Sequence, residues 1–436
     1  MISLPALLTN TKPNQISEMD NRMLQEYPEV LTSEYPQEIE AYLEDRIGFR
    51  ENMITLYQNL SDTIFHKLEH PLYMYGKEGH IMTNWDLTTY QHLDVDQTYV
   101  TNLTEYLKSL QIFCEKEECR FLFFLCPNKE TIYPEYFPDG YNVKNQPNRS
   151  DLLVDEMTEK EVPFIYPREL FMELKNKQLL YNKKYDAGHW NDRGCYYGNR
   201  EIISLLNTQL PSMGLLSEEE FSVDEIIRQY LINSYFEINE KVPSYMLKET
   251  AWTEMSGVFD HILLTVPTRE HQYYKNTVNL SMPRVLIFCD SYFGDAAKFY
   301  ANHSSELMLM HHRNMDNAEY YITLFQPDIV IVEVAERGLQ ESTSGIDDDR
   351  VLKRFTTKSN QEEITDKIRI LSIDVGSDEF VTLHGMISDM EGVEEEAKLK
   401  AVLGRREYYA WRDGNIFAFT FRKQDLNPDV QIRFYK

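Results

Sequence analysis

Cysteine is sparse in this chain of 436 residues: five in all, at positions 114, 119, 126, 195 and 289. They form no CxxC pair and no zinc-ligand spacing, and an odd, scattered set supplies no disulfide framework. Cysteine usage therefore fits an exported protein with few disulfides as well as a cytosolic one. Positive charge is also short. Lysine and arginine number 44 against 71 acidic residues, for a formal net charge of −27. There is no basic run, and such a field repels phosphate backbones and anionic membrane surfaces. Nucleic acid is thereby excluded as a partner, and neutral or cationic partners stay open. The N-terminal apolar run, Ile2 to Leu8, is too short to span a bilayer and lacks the basic flank of a complete signal peptide. Two origins fit it: a cytosolic protein, or a chain that begins just past a removed targeting segment.

What is present is enough for a large core. Hydrophobic residues make up 42 % and aromatics 13 %, so global disorder is excluded, and the length suits two domains. The 29 tyrosines suit half-buried or carbohydrate-facing surfaces, although most tyrosines simply pack.

Residues 36–69 read as one or two amphipathic helices, with Ile39, Leu43, Ile47, Ile54, Tyr57, Leu60, Ile64 and Phe65 at near-helical spacing. "MYGKEGHIM" follows as a glycine-bounded turn, and residues 97–118 again read as helix. Three short, continuous apolar runs, "RFLFFLCP" (120–127), "RVLIFCDS" (284–291) and "PDIVIVEV" (327–334), have the character of buried parallel strands. Each follows a helical stretch, as in an α/β sheet, where functional loops lie at the carboxyl ends of the strands. Attention therefore falls on Asn128, Lys129, Asp290, Ser291 and the segment 333–337. A charged stretch, 341–366, reads as a linker. Beyond it, "IRILSIDVG", "FVTLHGMI", "REYYAW", "IFAFTF" and "VQIRFY" alternate between turns, as strands of a small β-sandwich over 367–436 do.

Ser291 directly follows an apolar strand and precedes a helical segment, a position that exposes a hydroxyl near backbone N–H groups. A serine needs a base, and His189 in "KKYDAGHWNDRGCYYG" (183–198) can serve, with Asp186 three residues earlier able to fix its tautomer. Each fragment has a bland alternative: Asp-x-x-His as a helix cap beside a packed histidine, and Asp-Ser as an ordinary N-cap. The combination is what points to chemistry. Candidates for the oxyanion or the substrate are Asp290, Asn128, Lys129, Arg313, Arg337 and Trp190. For the two arginines the alternative is a rim salt bridge with Glu333 or Glu336. His311 and His312, with no acidic partner at helical spacing, read as ordinary histidines.

These pieces resemble the SGNH hydrolase fold, with its Gly-Asp-Ser and Asp-x-x-His motifs, but in a circularly permuted order: "FLCPNK", "DAGHW", "CDS", "PDIVIVEVAER". That order resembles the alginate O-acetyltransferase and DHHW family. "YLEDRIGFRENMITLYQNL", "YGKEGHIM" and "PNKETIYPEYFP" resemble further motifs of it, over about residues 15–340. Departures are Cys289 in place of glycine, His80 in place of tryptophan, and an Asp-to-His spacing one residue longer.

The resemblance implies an SGNH-like parallel sheet flanked by helices. Residues 1–95 would be a helical approach to a catalytic domain at 96–340. It implies O-acetylation of hydroxyls on a cell-envelope or exported polysaccharide. Ser291 would be the nucleophile, His189 the base and Asp186 its orienter, and no cofactor or metal would be needed. The partners implied are the polysaccharide and a membrane-bound protein that donates the acetyl group, and no oligomeric state follows. The location implied is extracytoplasmic, through an N-terminal membrane segment preceding this chain. A carbohydrate acetylesterase with the same triad, and a non-catalytic polysaccharide-binding assembly protein, are the alternatives. In the C-terminal module, Tyr408, Tyr409 and Trp411 are expected either to stack on sugar rings or to belong to the module's own core.

Overall fold

The computed structural model describes residues 16–17, 22–28, 32–46, 50–70, 72–84, 87–93, 95–144, 146–234, 236–265, 271–339, 362–376, 378–391, 393, 398–404, 406–426 and 432–436. Its centre is a seven-stranded sheet: β1 (Arg120–Cys126), β2 (Phe164–Ile165), β3 (Trp252–Glu254), β4 (Gln272–Asn276), β5 (Arg284–Cys289), β6 (Glu306–His311) and β7 (Ile329–Ala335). The spatial order is β2-β1-β7-β5-β6-β4-β3. The first five strands in that order pair in parallel, and β4 and β3 add antiparallel. The strand at 329–335 thus lies between those ending at Cys126 and Cys289.

Every residue of β7 is buried, and β1 is buried from Phe121 onward. A strand covered on both faces needs apolar side chains at odd and even positions alike, which is why these segments read as unbroken apolar runs. Successive residues of β1 then serve opposite layers. Phe121, Phe123 and Leu125 join one core with residues of α3 (Gln97–Lys116), α4 (Arg149–Glu159) and α6 (Ala318–Phe325). Leu122, Phe124 and Cys126 join the other core with Tyr196, Ile202 and Ile203 of α5 (Asp192–Gln209).

The N-terminal helical stretch divides into α1 (Tyr35–Asp45) and α2 (Arg50–Phe65). Its apolar stripe does not enter the core: Tyr57, Leu60, Ile64 and Phe65 are exposed. Ile47 lies outside the described residues. No helix among the described residues is long and apolar enough to cross a membrane. A long antiparallel hairpin, 221–230 with 237–247, is an element that the sequence pattern does not disclose, because its first strand alternates poorly and stays exposed after Ser222.

The C-terminal strands form a four-stranded sheet, in the order Ile368–Asp374, Phe380–Ile387, Ile416–Arg422 and Trp411–Asp413. A three-stranded sheet, in the order Arg406–Tyr409, Lys400–Leu403 and Ile432–Tyr435, completes the module. The two share an apolar core that includes Leu383, Ala401, Tyr408, Phe417, Phe419 and Phe434. Most of the stretch expected to be a linker, residues 341–361 of 341–366, lies outside the described residues.

The module grips α6. Tyr409 N–H donates to Thr323 Oγ1 at 3.1 Å, Arg422 donates to the Phe325 carbonyl at 2.6 Å, and Tyr320 and Thr420 share a hydroxyl contact of 2.7 Å. Of the two alternatives for these rings, burial in a core is the one that Tyr408 and Tyr409 take. Tyr408 is 1 % exposed, with its hydroxyl on Asp425, and Tyr409 packs edge-on against Phe113. Trp411 is half-buried against the same core. Deleting residues 367–436 would bare the apolar side of α6. The expected result is loss of folded, soluble protein, read by circular dichroism and by yield in the cleared lysate. A truncated chain that melts cooperatively at the parent temperature would contradict it.

Candidate active site

The carboxyl ends of β1, β5 and β7 bring three loops together. At the end of β5, Asp290 closes the turn: Oδ1 accepts the Tyr292 N–H at 2.7 Å and Oδ2 accepts the Ala335 N–H at 3.0 Å. A carboxylate on two backbone donors is an efficient brace, and it leaves Ser291 on a short 3₁₀ turn with an exposed side chain. Asp290 is thus a support for the turn that carries Ser291. Cys289, in the place where the resemblance calls for glycine, has no positive φ, so its Cβ costs no backbone strain.

A further loop reaches the same place from the segment before α5. Glu240, on the hairpin, accepts three successive backbone N–H groups, from Lys183 (2.6 Å), Lys184 (2.9 Å) and Tyr185 (2.5 Å). The chain then turns through Asp186 at φ +47°, a left-handed conformation that Asp tolerates better than most residues. The turn closes with the His189 N–H on the Asp186 carbonyl at 3.2 Å. This puts the carboxylate back on its own histidine, with Asp186 Oδ1 2.7 Å from His189 Nδ1. The other ring nitrogen, Nε2, lies 2.8 Å from Ser291 Oγ. Asn191 caps α5 on the Arg193 and Gly194 N–H groups and fixes where the loop ends.

Trp190 supports both loops rather than facing a ligand. Its indole N–H donates to the Tyr292 carbonyl at 2.8 Å, and its ring is buried against Phe124, Phe171 and Phe293. Gly198 lies directly beneath that ring, where a Cβ would come within 2.7 Å of it.

Arg337, just past β7, completes the site. Nη2 is 3.2 Å from Ser291 Oγ and 2.9 Å from His189 Nε2, Nη1 donates to the Gly188 carbonyl, and the guanidinium lies 4.7 Å over the Tyr292 ring. Nε2 has one lone pair, for which Ser291 Oγ–H and Arg337 Nη2–H compete. With Ser291 as its donor, Arg337 donates to Ser291 Oγ and Nδ1–H donates to Asp186. A rim salt bridge does not describe Arg337, since Glu333 and Glu336 are both interior, at 0 % and 2 % exposed. Burial pushes the Asp186 carboxyl up. The charges of His189, Arg337 and Lys129 outweigh it and hold the group below the ordinary aspartate range.

The remaining candidates divide. Asn128 is buried beside the site, with Oδ1 3.4 Å from the Arg337 N–H and 3.5 Å from the Tyr292 hydroxyl. Lys129 is corrected: it is 1 % exposed, and Nζ donates to the carbonyls of Ile81 (2.7 Å), Asn182 (2.7 Å) and Lys183 (3.1 Å). It ties the 81–83 strand to the loop that carries Asp186, with its amine occupied by those carbonyls. Burial lowers its amine to about 8. Arg313 is exposed at the turn after β6, its N–H on His311 Nδ1 at 3.2 Å. His80, in tryptophan's place, is buried and stacks on Tyr136 at 3.8 Å. Burial brings its pKa down to about 3, so it is neutral. Lys129→Met should cost about 3 kcal/mol in urea unfolding, because it strands buried carbonyls. An unchanged midpoint would show that the amine holds nothing.

Two further residues belong to the site's surroundings. Tyr73 is 5 % exposed and lies close enough to Asp186 for that carboxylate, after burial, to push its hydroxyl up. Glu240 lies 54 residues from Asp186 in a segment without a recognisable motif. No local pattern in the sequence flags either of them.

No family model matches the chain, and no curated protein matches it. Solved structures do. The structure of Bacillus cereus PatB1 with a sulfonyl adduct has a TM-score of 0.48 at 14 % identity, covering 62 % of this chain and 95 % of that one. A DHHW family protein from Eubacterium siraeum DSM 15702 has a TM-score of 0.42 at 14 % identity, covering 63 % and 98 %. The O-acetyltransferase domain of Pseudomonas putida AlgJ has a TM-score of 0.42 at 11 % identity, covering 62 % and 92 %. The chain is similar to a DHHW family protein and to an O-acetyltransferase domain. At these identities and TM-scores, the functional reading has to rest on the site's own residues.

Proposed function

We propose that this protein is an O-acetyltransferase with a permuted SGNH-like catalytic domain and a C-terminal β-sandwich. It would move an acetyl group to hydroxyls of a cell-envelope or exported polysaccharide through an acetyl-serine intermediate. The observation that carries the reading is the unbroken relay Asp186–His189–Ser291, with links of 2.7 and 2.8 Å and Arg337 beside it. Ser291 Oγ attacks the acetyl carbonyl of the donor while His189 Nε2 takes its proton, and Asp186 stabilises the imidazolium. Arg337 faces the negative charge that develops on the carbonyl oxygen. As the intermediate collapses, His189 returns the proton to the departing group and acetyl-Ser291 remains. An acceptor hydroxyl then gives its proton to His189, attacks the acetyl carbon, and releases Ser291 Oγ, which recovers the proton.

The polysaccharide, a membrane-bound acetyl donor and an extracytoplasmic location are parts of this proposal, supported by the motif resemblance. A second reading, carbohydrate acetylesterase, is favoured by the exposure of Ser291, which lets water reach the intermediate. p-Nitrophenyl acetate with and without acetylatable oligosaccharides separates them. Acetylated sugar in the mass spectrum supports transfer, and nitrophenol release without it supports hydrolysis. Neither product overturns both.

Arg337→Ala should lower kcat for p-nitrophenyl acetate by about 10²–10³-fold with little change in KM. Arg337→Lys should not restore it, because a point charge cannot reach Gly188 and Ser291 together. An Arg337→Ala enzyme with parental kcat would remove Arg337 from the site.

A further inference from the structure

Behind the nucleophile's turn lies a carboxyl group that the acetyl transfer does not use. Glu333 sits at the fifth position of β7 and is 0 % exposed. Its Oε2 accepts the backbone N–H of Asp290 at 2.9 Å, the residue immediately before Ser291. Its Oε1 is buried, with no nitrogen or oxygen partner among the described residues and the Cys126 thiol beside the carboxyl. A glutamate here is costly. Every other residue of β7 is Ile, Val or Ala, and in a parallel strand covered on both faces a branched apolar side chain would pack without penalty.

We propose that Glu333 is a positioning residue for Ser291, holding the Asp290 peptide from within the sheet so that the hydroxyl stays in line with His189. The inference rests on the reading of Ser291 as the nucleophile. The geometry explains why a polar group is needed at all. β5 ends at Cys289, so the Asp290 N–H has left the strand and points into the interior, where an unpaired donor is expensive. The carboxyl oxygen satisfies it. The Asp290 side chain secures the same turn from the other side through the Tyr292 and Ala335 N–H groups, so the peptide is held at both faces.

The interior disfavours a charge on Glu333. The groups that face it are the Asp290 carboxylate, the Cys126 thiol from β1, Cys195 from α5, Tyr300 and Arg337. Burial, and next the Asp290 charge, push its carboxyl well above the ordinary glutamate range, and the smaller pull of Cys126, the Asp290 N–H and Arg337 does not reverse this. A neutral carboxyl accepts one N–H as an amide does, so glutamine should replace it.

The test compares Glu333→Gln and Glu333→Leu with the parent enzyme on p-nitrophenyl acetate across pH 6–9. Labelling of Ser291 by a sulfonyl fluoride, followed by intact mass, gives a second readout. Glu333→Gln should keep kcat within about threefold and reproduce the parent pH profile. Glu333→Leu should lose about 10²-fold in kcat and in labelling rate, with KM little changed, as a misplaced nucleophile does. Parental kcat in a folded Glu333→Leu enzyme overturns the proposal. So does a Glu333→Gln enzyme that falls as far as the leucine variant, or one that gains or loses a limb of the pH profile. If the leucine variant does not fold, the Gln profile and its labelling rate decide alone. A parent whose labelling and activity do not depend on Ser291, checked with Ser291→Ala, would fail the underlying reading and is told apart in that way.

Discussion

Ser291→Ala is expected to abolish acetyl chemistry: kcat for p-nitrophenyl acetate should fall by about 10⁴-fold or more, and the acetyl-enzyme should vanish from the intact mass spectrum. The size of the effect follows from the role. Without Oγ there is no covalent intermediate, and His189 and Arg337 are left with only a water molecule to activate and orient. Folding should be untouched, since the side chain is exposed and its hydroxyl meets His189 and Arg337, not the core. A variant that still turns over at a tenth of the parent rate would place the nucleophile elsewhere.

Asp186→Asn is the sharper experiment, because it separates backbone from charge. Asp186 occupies a left-handed conformation at φ +47°, which Asn adopts as readily, so the loop should keep its shape. What changes is the group on His189 Nδ1. The carboxylate, held ionised by the neighbouring charges after burial has been offset, both selects the Nδ1–H tautomer and stabilises the imidazolium. A carboxamide can offer its own N–H to Nδ1 and turn the ring's proton to Nε2, where it blocks Ser291. A fall of about 10⁴-fold in kcat is expected, with the melting temperature close to that of the parent. Loss of under tenfold would mean that Asp186 holds the loop without taking part in proton transfer.

Much of this architecture is legible in the amino-acid sequence alone. β1, β5 and β7 stand out because strands covered on both faces admit no polar alternation, and a proline or aspartate marks where the apolar runs of β1 and β5 stop. Asp186 and His189 are legible because they stand three residues apart just ahead of α5, and Ser291 because it follows directly on the end of β5. The adjoining residues are not. Lys129 and Trp190 stand beside the same motifs, but adjacency in sequence carries no information about side-chain direction, and both turn inward to brace loops. Arg337 can be named from sequence but not placed between salt bridge and site, since that depends on how far inside Glu333 and Glu336 lie. Glu240 and the hairpin that carries it are invisible, because a carboxylate that accepts three backbone N–H groups from a distant loop leaves no local pattern. Tyr408 and Tyr409 show the same limit: aromatic residues beside a turn suit a ligand face and a core equally well, and α6 decides between them.

The seven-stranded sheet ends in very short strands, with two residues in β2 on one side and three in β3 on the other. An unpaired strand edge is a template on which another chain can add itself, and its danger grows with the number of consecutive free backbone groups that it offers. The long, apolar strands that lead to Ser291 and Arg337 would be strong templates if they lay at a border. They lie inside, and the borders offer too few rungs for an intruding strand to register. The interior that keeps the reacting groups in place is thereby also kept from seeding aggregation.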